Sequence, residues 1–312
     1  MGGVLGAIVS LAQTAAKIGE DAEVKSKGDV DVEATGDITA VTVAGGVAGG
    51  KNVGFGASIG ANVLANKTLA EIGDNAKVTA KNNPNVAADA DEVAVTAVVA
   101  GGLSEKIAVS GAFSTNVIVG ETVAEVGQGA QINTDDNYSG TARNVAITAH
   151  DDTVVAGIAG GGAGGGKAGI GAALDTTVLV KTVKATIEDD ADGLNVATVN
   201  ADRNVKIDAS AKETLVSVSM GFAFGGNAGV GGAVSIVVDK NDVQAGIGKS
   251  ALSAPVEIAL ADGERGGRGD VVVLAAGQAA DGRPPGRCAG RTGRCRDSHA
   301  SGRPAARPAG SV

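Results

Sequence analysis

Two stretches place a lysine where a phosphate-binding loop would have one: Gly45-x-x-x-x-Gly50-Lys51 and Gly161-x-x-x-x-Gly166-Lys167. Such a loop cradles phosphate with backbone amides at a helix N-terminus, and the residue after its lysine offers a hydroxyl to magnesium. Here that residue is Asn52 in one stretch and Ala168 in the other, and the text that follows alternates like a strand. Both stretches read as tight turns. Gly54-x-Gly56-x-x-x-Gly60 imitates a dinucleotide fingerprint, but no helix pattern follows and its glycines fall on one face of a strand. The acidic groups Asp135/Asp136, Asp151/Asp152 and Asp189/Asp190/Asp192 carry the oxygens that calcium takes, about six to eight at a time. The tandem Gly-Gly-x-Gly-x-Asp series of calcium β-rolls is absent, so these acids are expected to be solvated loop residues.

Catalytic constellations are equally thin. His150 is the one histidine outside the C-terminal tail, which excludes a credible Ser/His/Asp triad. A β-helical polysaccharide lyase or hydrolase needs carboxylates and basic residues gathered on one face, yet Arg143 and Arg203 are the only arginines before the tail. Arg268-Gly269-Asp270 spells the tripeptide read by integrin-type receptors, a short motif that chance produces easily. Cys288 and Cys295 could form one disulfide, and the absence of cysteine before them suits a secreted repetitive protein. The expectation is therefore no catalytic residue, no cofactor and no metal site.

What positions these residues is a repeat. Ile or Val followed four residues later by Ala recurs at Ile18/Ala22, Ile72/Ala76, Val126/Ala130, Ile187/Ala191 and Ile247/Ala251, with spacings of 54, 54, 61 and 60 residues. Gly19, Gly73, Gly127 and Gly248 follow four of these anchors, and the positive φ of a tight turn is the expected reason. Upstream of each anchor, bulky and small residues alternate on both sides of a Gly/Asn/Lys break. In the last block Val216, Val218, Met220, Phe222 and Phe224 alternate with Ser, Gly and Ala, then Val230, Val234, Ile236 and Val238 do so after Gly226-Asn227. Period two on either side of a short break is a hairpin signature. Turns are expected near Gly49–Asn52, Leu103–Lys106, Gly164–Lys167 and Gly225–Ala228, with the bulky face (Val218, Met220, Phe222, Val234, Ile236) buried. Short runs such as 29–34 and 204–209 read as connecting single rungs of a parallel solenoid.

Composition agrees with stacked strands. The chain has 312 residues, 50 of them Gly, with 44% hydrophobic but only 2% aromatic residues. So few large rings cannot fill a thick globular core; many small side chains in closely approaching sheets can. The fold expected is all-β: a β-solenoid or β-helix-like array with long antiparallel hairpins in each repeat of 54–61 residues. Its parts are a truncated first repeat over 1–27, repeats over 28–80, 81–142, 143–200 and 201–262, and the start of another over 263–276. From 277 to 312 the text becomes rich in Arg, Pro, Gly and Ala, with Val312 its only apolar residue larger than Ala beside Pro and Cys. That reads as a disordered or out-of-frame tail. Residues 2–16 could pass for a signal peptide, but no Lys or Arg precedes them and they align with the repeat at an offset of 54. No run reaches the ~18 uninterrupted apolar residues of a membrane helix.

The pattern of Thr68 to Ala80 (TLAEIGDNAKVTA), preceded by Ala-Gly-Gly-x-Ala-x-Gly-Gly and Gly-x-Gly-Ala-Ser, resembles the repeats of large Gram-negative filamentous adhesins, the leukotoxin- and haemagglutinin-like proteins of type V secretion. The resemblance covers residues 2 to about 276. It implies export, an extended β-helical passenger and display on the bacterial outer surface, with this chain an internal fragment lacking the signal, secretion domain and anchor. The function expected is structural and adhesive, without catalysis. Its partners would be an unknown host or cell-surface receptor or glycan and the neighbouring repeats, with membrane contact only through an anchor elsewhere. The acidic repeats lead us to expect no nucleic-acid partner, since that needs clustered Lys and Arg. The alternatives are a carbohydrate-active β-helix enzyme and a membrane-inserting toxin segment. Against the latter, membrane barrels carry aromatic girdles, and this chain has one Tyr and no Trp.

Overall fold

The computed structural model describes residues 1–134, 144–188 and 195–248, together with the backbone of 251–252 and 256–262. In chain order the strands are β1 (Gly2–Ile18), β2 (Glu23–Ser26), β3 (Val30–Gly50), β4 (Val53–Ile72), β5 (Lys77–Ala80), β6 (Pro84–Ser104), β7 (Ile107–Val126) and β8 (Gln131–Ile132). They continue as β9 (Val145–Gly165), β10 (Ala168–Ile187), β11 (Thr198–Val199), β12 (Val205–Gly225), β13 (Ala228–Ile247), β14 (Ala251–Leu252) and β15 (Val256–Asp262). No helix occurs among the described residues.

Every third strand joins the same sheet. The orders are β1-β4-β7-β10-β13, β2-β5-β8-β11-β14 and β3-β6-β9-β12-β15, and all strand pairs are parallel. In the first sheet Val53 pairs with Ile107, Ile107 with Ala168 and Ala168 with Ala228, so each step along the sheet is one sequence repeat of 54, 61 or 60 residues. The chain thus winds as a solenoid-like stack whose coil is a long strand, a sharp reversal, a second long strand and a short third wall.

The antiparallel hairpins expected from the sequence do not form. The chain does reverse at 51–52, 105–106, 166–167 and 226–227. Its two arms, however, lie in different sheets and face each other through side chains, because each arm's backbone is hydrogen-bonded to the same text one coil away. The reversals stack as well: Ile107 N donates to Asn52 O (3.1 Å) and Asn227 N to Lys167 O (2.9 Å). The runs over 29–34 and 204–209 are not separate rungs either. They lie at the start of the continuous arms β3 and β12.

Inward side chains set the distance between the two long sheets. At the base, where the short sheet closes a triangle, Ile72, Val78, Val126, Ile132, Val145, Ile147, Ile187, Val199 and Ile207 fill a wide core. Midway, Ile38, Leu64, Ile118, Val155 and Leu179 form a narrower one. Beyond them the inward row shrinks, Val98 apart, to Ala44, Ala100, Ala112, Ala159 and Ala173, then to glycine near the reversals. A Cβ added at Gly56 would lie 2.1 Å from the Gly101 carbonyl oxygen, and one at Gly161 only 2.0 Å from that of Ala172. Each coil is therefore a wedge, tapering because its inward residues do.

The glycines after the Ile/Val anchors have another reason than the one expected. Positive φ falls two residues later, at Asp21, Asn75 and Gly129, types that tolerate the left-handed region. Gly73 and Gly127 instead permit close stacking of coils: their added Cβ atoms would lie 2.8 Å from Glu20 N and 2.4 Å from Asp74 Oδ1.

Candidate functional site

Because small residues face inward, the bulky rows face out, opposite to the sequence expectation. Val218 is 38% exposed, Met220 57%, Phe222 55%, Val234 55% and Ile236 45%. This is not an effect of the last coil alone, since Val43, Val99, Leu103, Phe113, Ile158 and Ile170 are exposed as well. On one side the outward positions run from Val53 to Ala65 in β4, Ile107 to Val119 in β7, Ala168 to Val180 in β10 and Ala228 to Val238 in β13. On the other they run from Thr39 to Gly49 in β3, Val93 to Leu103 in β6, Val154 to Gly164 in β9 and Thr214 to Phe224 in β12. None of these outward positions is Asp, Glu, Lys, Arg or His.

The two outer faces are also levelled. Along one column Val47 and Phe222 flank Gly101 and Gly162, and a Cβ on Gly162 would meet the Phe222 ring at 2.6 Å. Large side chains lean over their neighbours' glycines, and Phe222 and Phe224 tilt against each other at 6.2 Å between ring centroids. On the outer faces charge is confined to the two ends of the wedge. The reversals carry Lys51, Glu105, Lys106 and Lys167. Nearer the base, Lys17–Glu71 (2.5 Å) and Lys67–Glu121 (3.1 Å) bridge successive coils. Asp37, Asp91 and Asp152 stack in one outward column. Partial burial pushes the Asp91 carboxyl up, and the charges of Asp37, Asp152 and Asp89 add to the effect.

Inside, polar residues pair across the wedge. Thr42 Oγ1 donates to Asn62 Oδ1 (2.5 Å), while Asn62 Nδ2 donates to Thr96 Oγ1 (2.8 Å) and Asn116 Oδ1 (3.2 Å). One coil further on, Lys181 of β10 is ion-paired with Glu92 of β6 and with Asp151 of β9 (3.0 Å to Oδ1), all three buried. Burial raises the Asp151 carboxyl to about 6 against the pull of hydrogen bonds from Thr122 and Thr153, and lowers the Lys181 ammonium to about 7. Burial likewise raises Glu213 to about 7, opposed by a hydrogen bond from Asn241 and reinforced by Asp239.

The residues singled out in the sequence are dispersed. Lys51 and Lys167 sit exposed at reversals, where no helix N-terminus accompanies them, and Gly54, Gly56 and Gly60 line the inner face of β4. Asp151 and Asp152 lie within β9 rather than in a loop, the first buried and the second exposed. His150 faces outward, its Nδ1 2.6 Å from Ser210 Oγ. Arg203 is exposed. Asp135, Asp136, Asp189, Asp190, Asp192, Arg143, the Arg268-Gly269-Asp270 tripeptide, both cysteines and the segments 263–276 and 277–312 lie outside the described residues. No group of three or more His, Cys, Asp or Glu that could hold a metal ion occurs among the described residues. No helix among them is long and apolar enough to cross a membrane. Comparison with known proteins finds no matching family model, no matching characterised protein and no matching solved structure.

Proposed function

We propose that this chain is a non-catalytic, adhesive segment of a secreted, surface-displayed repeat array, and that the uncharged band on its two outer faces is the surface that adheres. The observation that carries this reading is the band itself. Contiguous exposed apolar surface on this scale marks an interaction site in a soluble protein. Repetition multiplies it, because each coil adds one more weak contact to a partner already held and so raises avidity. The partner chemistry that fits is an extended apolar surface of a host or of neighbouring arrays, with the charged base kept in water.

The test uses two charge insertions at outward positions, Ile59→Lys and Phe113→Lys. Both leave the inward rows untouched, so the melting temperature should hold. Adsorption to alkyl-coated beads and to target cells should fall at least several-fold. Undiminished adsorption by variants that melt normally would overturn the reading. Release of reducing or unsaturated glycan products by the purified chain would overturn its non-catalytic part.

Insertion into a bilayer is a second reading, and one observation favours it. The uncharged outward stretch from Val53 to Ala65 spans about 40 Å at ~3.3 Å per residue, longer than the ~30 Å hydrocarbon core it would have to cross. Flotation of the chain with phosphatidylcholine vesicles, abolished by the same two substitutions, would select this reading over adhesion to a protein or glycan coat.

A further inference from the structure

From the arrangement of Lys181, Asp151 and Glu92 we infer that the third complete coil is closed by an intramolecular amide bond between Lys181 Nζ and Asp151 Cγ, formed by the protein itself with Glu92 as the base. Lys181 lies on β10 and Asp151 on β9, so the bond would join the two long sheets across the wedge, 30 residues apart in sequence.

Nζ is within reach of the Asp151 carboxyl. Nζ lies 3.0 Å from Oδ1 and 3.2 Å from Oδ2 of Asp151. The carboxyl carbon between those oxygens is thus near the ~3–3.5 Å from which attack proceeds. Both oxygens are held by hydroxyl donors. Thr122 Oγ1 donates to Oδ2 (2.9 Å), and Thr153 Oγ1 is 2.9 Å from Oδ1 and 2.9 Å from Glu92 Oε2. Glu92 Oε2 also contacts Nζ, while its Oε1 accepts no hydrogen bond among the described residues and keeps a free lone pair. Gly120, opposite Lys181 in the strand register, leaves the room that Nζ occupies: a Cβ there would lie 2.4 Å from it.

Each atom has a place in the step. Asp151 enters as the neutral acid with its proton on Oδ1, the neutral amine attacks Cγ, and Glu92 takes a proton from Nζ. The water that leaves thus carries the acid's proton and the one relayed from Nζ. Charge gathers on Oδ2, where the Thr122 hydroxyl meets it, as an oxyanion donor does. Thr153 passes the proton from Glu92 to Oδ1, the Cγ–Oδ1 bond breaks, and Oδ1 leaves as water. Amine plus carboxylic acid gives amide plus water, with no oxidant, reductant or activating group required. Burial favours the neutral reactants, since it brings the Lys181 ammonium down and the Asp151 carboxyl up to within about one unit of each other near neutrality. The same dry setting favours the neutral amide over a buried ion pair, whose two charges must give up their water. A covalent tie across one coil would keep the two sheets from separating under load.

Intact mass of the purified full chain under denaturing conditions is the test. The inferred product is one water lighter than the sequence, and trypsin fails to cut after Lys181. Fragment ions should then join the peptide 144–167 to 168–184 through Asp151 and Lys181. Full sequence mass overturns the inference, as does a water loss that maps elsewhere, to a succinimide or to Glu92. Asp151→Ala should restore the full mass. Glu92→Gln, if it melts cooperatively, should remain at full mass; a Glu92→Gln chain that still loses water would overturn the role of Glu92 as base. Because wild-type mass decides the first question, a variant that fails to fold leaves the test intact.

Discussion

A methyl group added on the two faces of the wedge should have opposite consequences. Gly56 faces inward from β4, and the added Cβ would sit 2.1 Å from the Gly101 carbonyl oxygen and 2.9 Å from its carbon, against ordinary contact at 3.4–4 Å. The obstacle is backbone of the facing sheet, which cannot rotate away as a side chain can. Relief requires the sheets to part by more than ~1 Å in an interior packed at crystal-like density. Overpacking of this kind costs roughly 1–3 kcal/mol, and backbone obstruction puts Gly56→Ala at or above the top of that range. Gly45 faces outward from β3, and the nearest atom to its added Cβ is Val99 O at 4.0 Å. Its φ is not in the left-handed region. Gly45→Ala should therefore be neutral or stabilise by about 0.4–1 kcal/mol, through the unfolded chain's lost freedom. Urea denaturation of the two variants, compared at equal m value, reads the difference. Equal midpoints, or loss confined to Gly45→Ala, would refute the assignment of inner and outer faces.

Further outcomes follow from the same geometry. Phe222→Ala should cost about 1 kcal/mol or less, not the ~3–5 of a buried phenylalanine, and should reduce binding of an apolar fluorescent dye in proportion. Asn62→Ala deprives Thr42 of its acceptor and Thr96 of a donor inside the wedge, and should cost ~1–3 kcal/mol by thermal or chemical melting. Burial raises Glu213 from 4.5 to about 7 and Asp151 from 3.8 to about 6, so the folded chain holds those protons more tightly than the unfolded one does. Stability should thus fall as pH rises from about 4 to 7, and Glu213→Gln should flatten part of that slope in melting curves. In a chain not yet condensed at Lys181 and Asp151, Lys181, lowered to about 7, acts in the opposite sense above neutrality, where stability should recover toward pH 10. In a chain condensed at Lys181 and Asp151 that alkaline recovery disappears, along with the Asp151 contribution.

Strand content and the length of one coil were legible, because period-two alternation and the 54- to 61-residue spacing are written directly in the text. The facing was not, because alternation alone is symmetric and the habit of burying the bulky row chose wrongly. A signal was available further along each strand. Lys67 and Glu71 share the parity of Val53, Phe55 and Ile59, whereas Leu64 and Ile72 share that of Gly54 and Gly56. Charges on the first row mark it as the solvent row, so the glycines had to face in. The same parity rule places Glu92, Asp151 and Lys181 on inward rows, which would have singled them out as buried charges. Hairpin and arch could not be told apart by the turn residues, since both reverse the chain at Gly, Asn or Lys. In-register repetition decided it, by offering every backbone group a parallel partner one coil away.

The two methionines allow the most direct test of the outward-facing apolar band. Met1 is fully exposed and Met220 is 57% exposed, on the outer face of β12 toward the reversal. Peroxide oxidation of the native chain, kept dilute enough to sediment as a monomer, should convert Met220 to its sulfoxide at a rate comparable with Met1. Met220 that stays reduced until the chain is denatured would mean that its row is buried, and the outward-facing wedge, with the adhesion proposed from it, would be wrong.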